Sequence, residues 1–291
     1  MSIADATPVT WLYVPGDRPD RFAKACRSGA DAVILDLEDA VLAPAKDAAR
    51  GHVLDFLTGG APGGPPDGPA PQLHVRVNAP DGGIGRRDLA ALAGAPLLDA
   101  VRVPKVRSPE DVAAVAAALG AGTALHCLLE SALGVENAAA IGAHPAVRGL
   151  ALGEADLAAQ MNLSGDAAFG WLRSRVVLAA AANGLPAPAM SAYVDVADEE
   201  GLRASCAAGR ALGMFGRTAI HPRQVPVIRR AFTPSDGEVA RSREIVAAAE
   251  DGADDGAGAV ALPDGRFIDA PIVESARRTL ALADRLGRTS G

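Results

Sequence analysis

Short runs of β-type residues recur along this chain, each ends on a charge, and each leads into a helix-like stretch. Val33-Ile34-Leu35 runs into Asp36, Glu38 and Asp39, and His74-Val75 into Arg76. Val101-Arg102-Val103 reaches Lys105, Leu125–Leu129 reaches Glu130, and Leu150-Ala151-Leu152 reaches Glu154 and Asp156. Apolar strands separated by helices call for a parallel sheet, because parallel neighbours need a crossover and are covered on both faces. Strand C-termini in such a sheet share one rim, so charges scattered along the sequence gather into one site.

The strands are expected at Trp11–Pro15, Ala32–Leu37, Leu73–Val77, Val101–Val106, Ala124–Leu129, Gly149–Leu152, Met190–Val194 and Arg217–Ile220. Helices are expected at Arg18–Arg27, Ala45–Leu57, Pro109–Leu119 with Ser108 as N-cap, Phe169–Asn183 and Glu199–Leu212. Strands and helices in this alternation are the plan of an α/β protein of the (β/α)8 TIM-barrel type, and 291 residues suit one such domain. The alternative, a doubly wound sheet, lacks a G-x-G-x-x-G after the first strand. Gly59–Pro71, dense in Pro and Gly, reads as a surface loop inserted in one fold, since the alternation resumes after it.

The alternation assigns residues 1–232 to the barrel. Residues 233–291 form an extension read as helix (Ser235–Glu250), turn (Asp251–Gly258), hairpin (Ala259–Leu262 and Arg266–Ile268 about Pro263-Asp264-Gly265) and final helix (Pro271–Leu286). It is too small for a core of its own and is expected to pack on the barrel or on a neighbouring subunit. A net charge of −7 speaks against a nucleic-acid or anionic-membrane surface. Three widely spaced cysteines (Cys26, Cys127 and Cys206) and an N-terminus without a basic-then-apolar pattern point to reduced thiols and a cytoplasmic protein.

On the shared rim, Glu130 and Asp156 stand on adjacent strands. Two carboxylates that close repel, and a divalent cation such as Mg2+, which takes one or two protein carboxylates, relieves the repulsion. Structural salt bridges are the other reading of the same pair. Arg76 can stabilise an oxyanion bidentately, or serve as partner to Glu38 or Asp39. Gly153-Glu154-Ala155 opens a helix whose amides could hold a small carboxylate. Arg18, Arg21 and Lys24 put three cations on the first βα loop and helix, where they are either a phosphate contact or a solvated face. The five histidines lack ligand spacing for zinc.

At these residues the chain resembles the citrate lyase β-subunit-like group of the 4-hydroxy-2-oxoheptanedioate aldolase/citrate lyase superfamily. The resemblance rests on Leu12 to Phe22, Gly29-Ala30-Asp31 with Leu35 to Val41, and Val75-Arg76-Val77-Asn78. It continues through Leu129 to Gly134, Leu152 to Leu157, Ile220 to Gln224 and Ile268 to Pro271. It implies a barrel with a C-terminal extension in a homotrimer or hexamer, and Mg2+ on Glu130 and Asp156. It further implies Arg76 on a thioester or enolate oxygen, with Glu38 and Asp39 supporting the metal-bound water and Arg76. The implied chemistry is cleavage or formation of a C–C bond between an acyl-CoA and a 2-oxo acid, with malyl-CoA or citramalyl-CoA as the type of hydroxyacyl-CoA. Arg18, Arg21 and Lys24 are the candidates for CoA phosphates. Asp269 is implied to reach a neighbour's active site and support thioester hydrolysis or synthase chemistry. A citrate lyase β subunit acting on an acyl-carrier-protein thioester, and a malyl-CoA thioesterase, are the alternatives. Ser131 stands where the group commonly has Thr, and the Gly59–Pro71 loop is long.

Overall fold

The computed structural model describes residues 7–60, 63–65, 68–254, 260–261 and 267–287. They fall into two compact units, one ending at Phe232 and one beginning at Thr233.

The first unit is built on a parallel sheet of seven strands in the order β6-β5-β4-β3-β2-β1-β7. The strands are β1 (Thr10–Pro15), β2 (Ala32–Asp36), β3 (Gln72–Arg76), β4 (Ala100–Val103), β5 (Ala124–Leu129), β6 (Val147–Leu152) and β7 (Arg217–Ala219). Its helices are α1 (Phe22–Cys26), α2 (Lys46–Thr58), α3 (Gly83–Leu92), α4 (Pro109–Leu119), α5 (Ala132–Glu136), α6 (Ala138–Gly142), α7 (Glu154–Met161), α8 (Gly170–Ala182), α9 (Glu199–Ala211) and α10 (Gln224–Phe232). β2 is buried along its whole length, as an apolar strand covered on both faces must be. Ser108 caps α4 in a full capping box: its hydroxyl accepts from Asp111 N, and the Asp111 carboxylate accepts from the Ser108 amide.

The expected strand Met190–Val194 is not formed. Only Met190 pairs, in a single parallel bridge to Arg217. The Asp195 carboxylate accepts from the amides of Ala197 (2.9 Å) and Asp198 (3.2 Å), and this local turn competes with extension. What remains still links the two edges of the sheet. Thr218 N donates to Met190 O at 3.0 Å, and the Ser191 hydroxyl donates to Leu152 O of β6 at 2.7 Å. The expected first helix is also shorter, with a 3-10 turn at Pro19–Arg21 ahead of α1.

Polar rings fill part of the sheet's inner face. Trp11, His74 and His126 meet edge-to-face at centroid distances of 5.1, 5.5 and 4.8 Å, and the buried Arg102 guanidinium lies 4.4 Å from the Trp11 ring centroid. Gly149 makes room for this stack: a Cβ there would stand 2.5 Å from His126 Nδ1. Cys26, Cys127 and Cys206 are free and buried, and burial pushes the Cys127 thiol up to about 12.

In the second unit α11 (Asp236–Asp254) packs against α12 (Ala270–Gly287), and β8 (Val260–Ala261) pairs antiparallel with β9 (Phe267–Ile268). α11 runs past the expected stop at Glu250 into the start of the expected turn Asp251–Gly258. The rest of that turn, and the hairpin's Pro263-Asp264-Gly265, lie outside the described residues. Asp269 has a stabilising role that the sequence did not reveal: its carboxylate caps α12, accepting from Ile272 N at 3.2 Å.

Candidate active site

Arg76 ends β3 in register with Asp36, the last residue of β2. This neighbourhood sets up a bidentate grip: Arg76 Nε donates to Asp36 Oδ1 at 2.7 Å and Nη2 to Oδ2 at 2.6 Å. Nη1 faces Glu38 at 2.9 Å and Asp39 at 3.2 Å, while the guanidinium lies 5.0 Å from the Tyr13 ring centroid. Burial alone would lower the Arg76 pKa, but the hydrogen bonds to Asp36 and the charges nearby raise it beyond the ordinary value. The group is therefore a fixed cation. The sequence paired Arg76 with Glu38 or Asp39 and overlooked Asp36. The available signal was its place on the strand itself, two residues before Glu38 and on the same side.

Glu38 is buried, whereas Asp39 is largely exposed. Burial raises the Glu38 pKa, opposed by Arg76 and Lys105. Lys105 Nζ lies 3.4 Å from Glu38 Oε1. Beside these groups opens a cleft of about 490 Å³ whose lining includes Glu38, Asp39, Leu42, Lys46, Asn78 and Lys105. Lys46 donates to the carbonyls of Leu37 and Glu38, both at 2.9 Å, and so fixes the loop after β2.

Glu130 follows β5 and is buried at 8% exposure; Asp156 is exposed on the first turn of α7, which follows β6. The Glu130 pKa is pushed up to about 8, first by burial and then by the charges of Glu38 and Asp156. Its Oε2 accepts from Lys105 N at 3.1 Å. Gly153 cradles it: a Cβ at that position would stand 2.3 Å from Glu130 Cγ and 2.9 Å from Oε1. A buried carboxylate that its neighbours push towards the neutral form is a site that a cation would stabilise as the anion. Among the described residues no group of three His, Cys, Asp or Glu could hold an ion alone. Two oxygen-bearing ligands, with coordination left for water and substrate, fit a hard cation of the Mg2+ type and do not fit structural zinc.

Other expected residues are placed differently. The Glu154 carboxylate is not available to a ligand. Arg173 of α8, 2% exposed, grips it through Nε (2.7 Å) and Nη2 (3.0 Å), and also grips Asp166 at 3.1 and 2.8 Å. What Gly153, Glu154 and Ala155 can offer is backbone. No motif linked Arg173 to Glu154, because the two lie on successive helices. Arg18 is tied to Asp20 at 3.1 Å, leaving Arg21 and Lys24 as exposed cations of the same segment. Asp269 belongs to the C-terminal unit.

Residues 10–222 match the family described as HpcH/HpaI aldolase/citrate lyase. The chain belongs to this family. Among curated relatives, a (3S)-malyl-CoA thioesterase of Cereibacter sphaeroides (strain ATCC 17025 / ATH 2.4.3) is 37% identical over 282 residues, covering 94% of each chain. An L-malyl-CoA/beta-methylmalyl-CoA lyase of Rhodobacter capsulatus is 33% identical, covering 91% of each. Among solved structures, protein CitE from Mycobacterium tuberculosis, in complex with magnesium, acetoacetate and coenzyme A, superposes with a TM-score of 0.80 at 34% identity. That match covers 96% of this chain and 99% of the other. These matches span 91–96% of this chain.

Proposed function

We propose that this protein is a Mg2+-dependent carbon–carbon lyase that cleaves, or in reverse forms, a hydroxyacyl-CoA of the malyl-CoA or citramalyl-CoA type, giving an acyl-CoA and a 2-oxo acid. The observation that carries this reading is the pairing across one rim of a buried, cation-seeking Glu130 beside Asp156 with a fixed guanidinium, Arg76. The family and the magnesium- and CoA-bound neighbour support it.

Glu130 and Asp156 would hold the ion, which supplies Lewis-acid polarisation of substrate oxygens when bound. In the cleavage direction the substrate hydroxyl gives up its proton to a base and becomes the 2-oxo carbonyl. The bond between that carbon and the thioester α-carbon breaks with its electron pair moving onto the thioester as an enolate, and the α-carbon then takes a proton to give the acyl-CoA. Arg76 meets that negative charge, and Asp36, by gripping the guanidinium from behind, spares it reorganisation as charge develops. Glu38 holds Arg76 and Lys105 in place. The cleft past Leu42 and Lys46 takes the thioester arm, and Arg21 and Lys24, with Arg18 if it leaves Asp20, are the proposed phosphate contacts. The amides of Gly153, Glu154 and Ala155 are the proposed seat of the 2-oxo acid carboxylate. We also take the sheet as a (β/α)8 barrel whose seventh strand is reduced to Met190, with residues 233–291 covering the site of a neighbour in a trimer or hexamer.

The thioesterase among the relatives favours a second reading, in which cleavage is followed or replaced by release of free CoA. Incubating the purified protein with Mg2+ and a panel of hydroxyacyl-CoAs, while measuring 2-oxo acid and free thiol separately, tests both. A 2-oxo acid without thiol supports the lyase, and thiol supports the hydrolase. Turnover of the acyl-carrier-protein thioester alone would replace both readings with a citrate lyase subunit, and full activity in EDTA would refute the metal-dependent site.

A further inference from the structure

Lys105 has a left-handed backbone, with φ at 58°, immediately beyond β4. Among the described residues the only other non-glycine with positive φ is Asn162, which caps the C-terminus of α7. Left-handed geometry is unfavourable for a residue with a Cβ and persists where its surroundings require it. Here the hydrogen bonds identify the requirement. In a regular strand, successive amides point to opposite neighbours. At Lys105 they point the same way: Lys105 N donates to Glu130 Oε2 at 3.1 Å, and Val106 N donates to Leu128 O of β5 at 3.3 Å. The reversal keeps the chain attached to β5 and frees one amide for the carboxylate beyond the end of that strand.

The other end of Lys105 acts in the opposite direction around the rim. Its ammonium is 3.4 Å from Glu38 Oε1, and Glu38 Oε2 is 2.9 Å from Arg76 Nη1. Among the described residues the Glu38 carboxylate is held by ion pairs alone, without an aligned hydrogen bond to either of its oxygens, while its backbone is fixed by Asp36 and Lys46. Its position between Arg76 and Lys105 therefore depends on the charges at both sides.

We propose that Lys105 is a positioning residue with two separable ends: its left-handed backbone aims Glu130, and its ammonium holds Glu38 and, through it, Arg76. The inference rests on the reading of Glu130 as a cation ligand. The half-exposed side chain can be replaced without opening the core. Lys105→Gly removes the ammonium but favours the same backbone, Lys105→Ala disfavours that backbone, and Lys105→Val disfavours it most. Mn2+ affinity is read by EPR of the free ion without substrate, and kcat is read on the thioester.

The Gly variant should keep the Mn2+ Kd within about 2-fold of the parent. Ala and Val should weaken it in that order, with Val losing about 10-fold, as for loss of a group that orients a metal ligand. All three should lose kcat by a similar factor, on the order of 10-fold or more, and Lys105→Arg should recover most of that loss. Equal Mn2+ affinity in Gly and Val overturns the backbone role, whether or not their melting temperatures differ. Undiminished kcat in the Gly variant overturns the ammonium role. The parent protein and Glu130→Ala separate the two levels. A parent that binds no Mn2+, or a Glu130→Ala variant that binds it equally well, removes the ligand reading and the inference with it. A parent that binds while Gly and Val behave alike removes the inference only. The ranking of Ala against Gly keeps the test decisive if Val does not fold.

Discussion

Gly153→Ala isolates the geometry of Glu130 with one methyl group. The backbone there has a negative φ of −92°, so the substitution adds no left-handed strain. The added Cβ would fall 2.3 Å from Glu130 Cγ and 3.0 Å from Cδ, where non-bonded carbons prefer roughly 3.5–4.0 Å. Glu130 must therefore retreat by more than about 1 Å, which breaks its 3.1 Å contact with Lys105 N. Losing a hydrogen bond to a charged group costs about 1.5–3 kcal/mol, and a displacement of that size at a reacting centre costs about 10²-fold in rate. We expect kcat/KM to fall about 100-fold and Mn2+ affinity about 10-fold, with the protein still folded. Gly51→Ala is the control. It lies in exposed α2 with nothing within 4 Å of the added Cβ, and should stabilise by up to about 1 kcal/mol without touching activity. Steady-state kinetics, Mn2+ titration and thermal melts on the two variants decide the matter. A Gly153→Ala protein that binds Mn2+ and turns over like the parent would refute the placement of Glu130 at the reacting centre.

Arg76→Lys keeps the charge but loses the two-point grip of Asp36, and should lower kcat about 10²–10³-fold with KM little changed; a change in KM alone would assign Arg76 to ground-state binding. Asp269→Ala should destabilise the C-terminal unit by about 1 kcal/mol through the lost cap of α12, measured by denaturant unfolding. Asp269→Asn should restore that stability, and turnover that stays low in the Asn variant would assign the carboxylate a further part in chemistry. His126 is held down to about 3 by burial and then by Arg102, and His74 is held well below its ordinary value by burial, His126 and Arg102. Both bind protons in the unfolded chain below about pH 6.5 but not in the folded one, so stability falls as pH drops from there towards 3. Each contributes a slope of about 1.4 kcal/mol per pH unit within that window. His126→Asn should flatten the unfolding free energy between pH 6 and 4.5 by about one such slope, and an unchanged slope would show that the histidine protonates in place.

The rim was legible because it obeys a local rule: in parallel strands the end residues meet whatever the distance between them in sequence. Asp36, Arg76, Lys105 and Glu130 each close or follow a strand, and the register carries them together. The expected seventh strand failed the same rule because Met190–Val194 has β-type composition but is followed by Asp195, whose carboxylate offers nearby amides another partner. Longer-range choices left no local trace. Arg173 reaches Glu154 from a later helix, and Gly153 is needed for its missing Cβ rather than for a turn. The cap at Asp269 could have been read: an Asp three residues before Ile272, at the start of an amphipathic run, has the pattern of an N-cap.

Charge explains why these groups belong together. The contacts join Asp36, Glu38 and Asp39 to two cations, Arg76 and Lys105, and the charges of Glu38 and Asp156 act on Glu130. Carboxylates outnumber cations in this set, and Glu130, buried beside Glu38 and Asp156, has its pKa pushed up to about 8. A divalent ion between Glu130 and Asp156 would offset two of these negative charges and hold Glu130 as the anion. An anionic 2-oxo acid is repelled more by the first arrangement, without the ion, than by the second. An enolate formed beside Arg76 is likewise further stabilised in the second. On the proposed assignment of Glu130 and Asp156 as the ion's ligands, its charge helps hold the anionic substrate, so metal binding should precede substrate binding rather than accompany it.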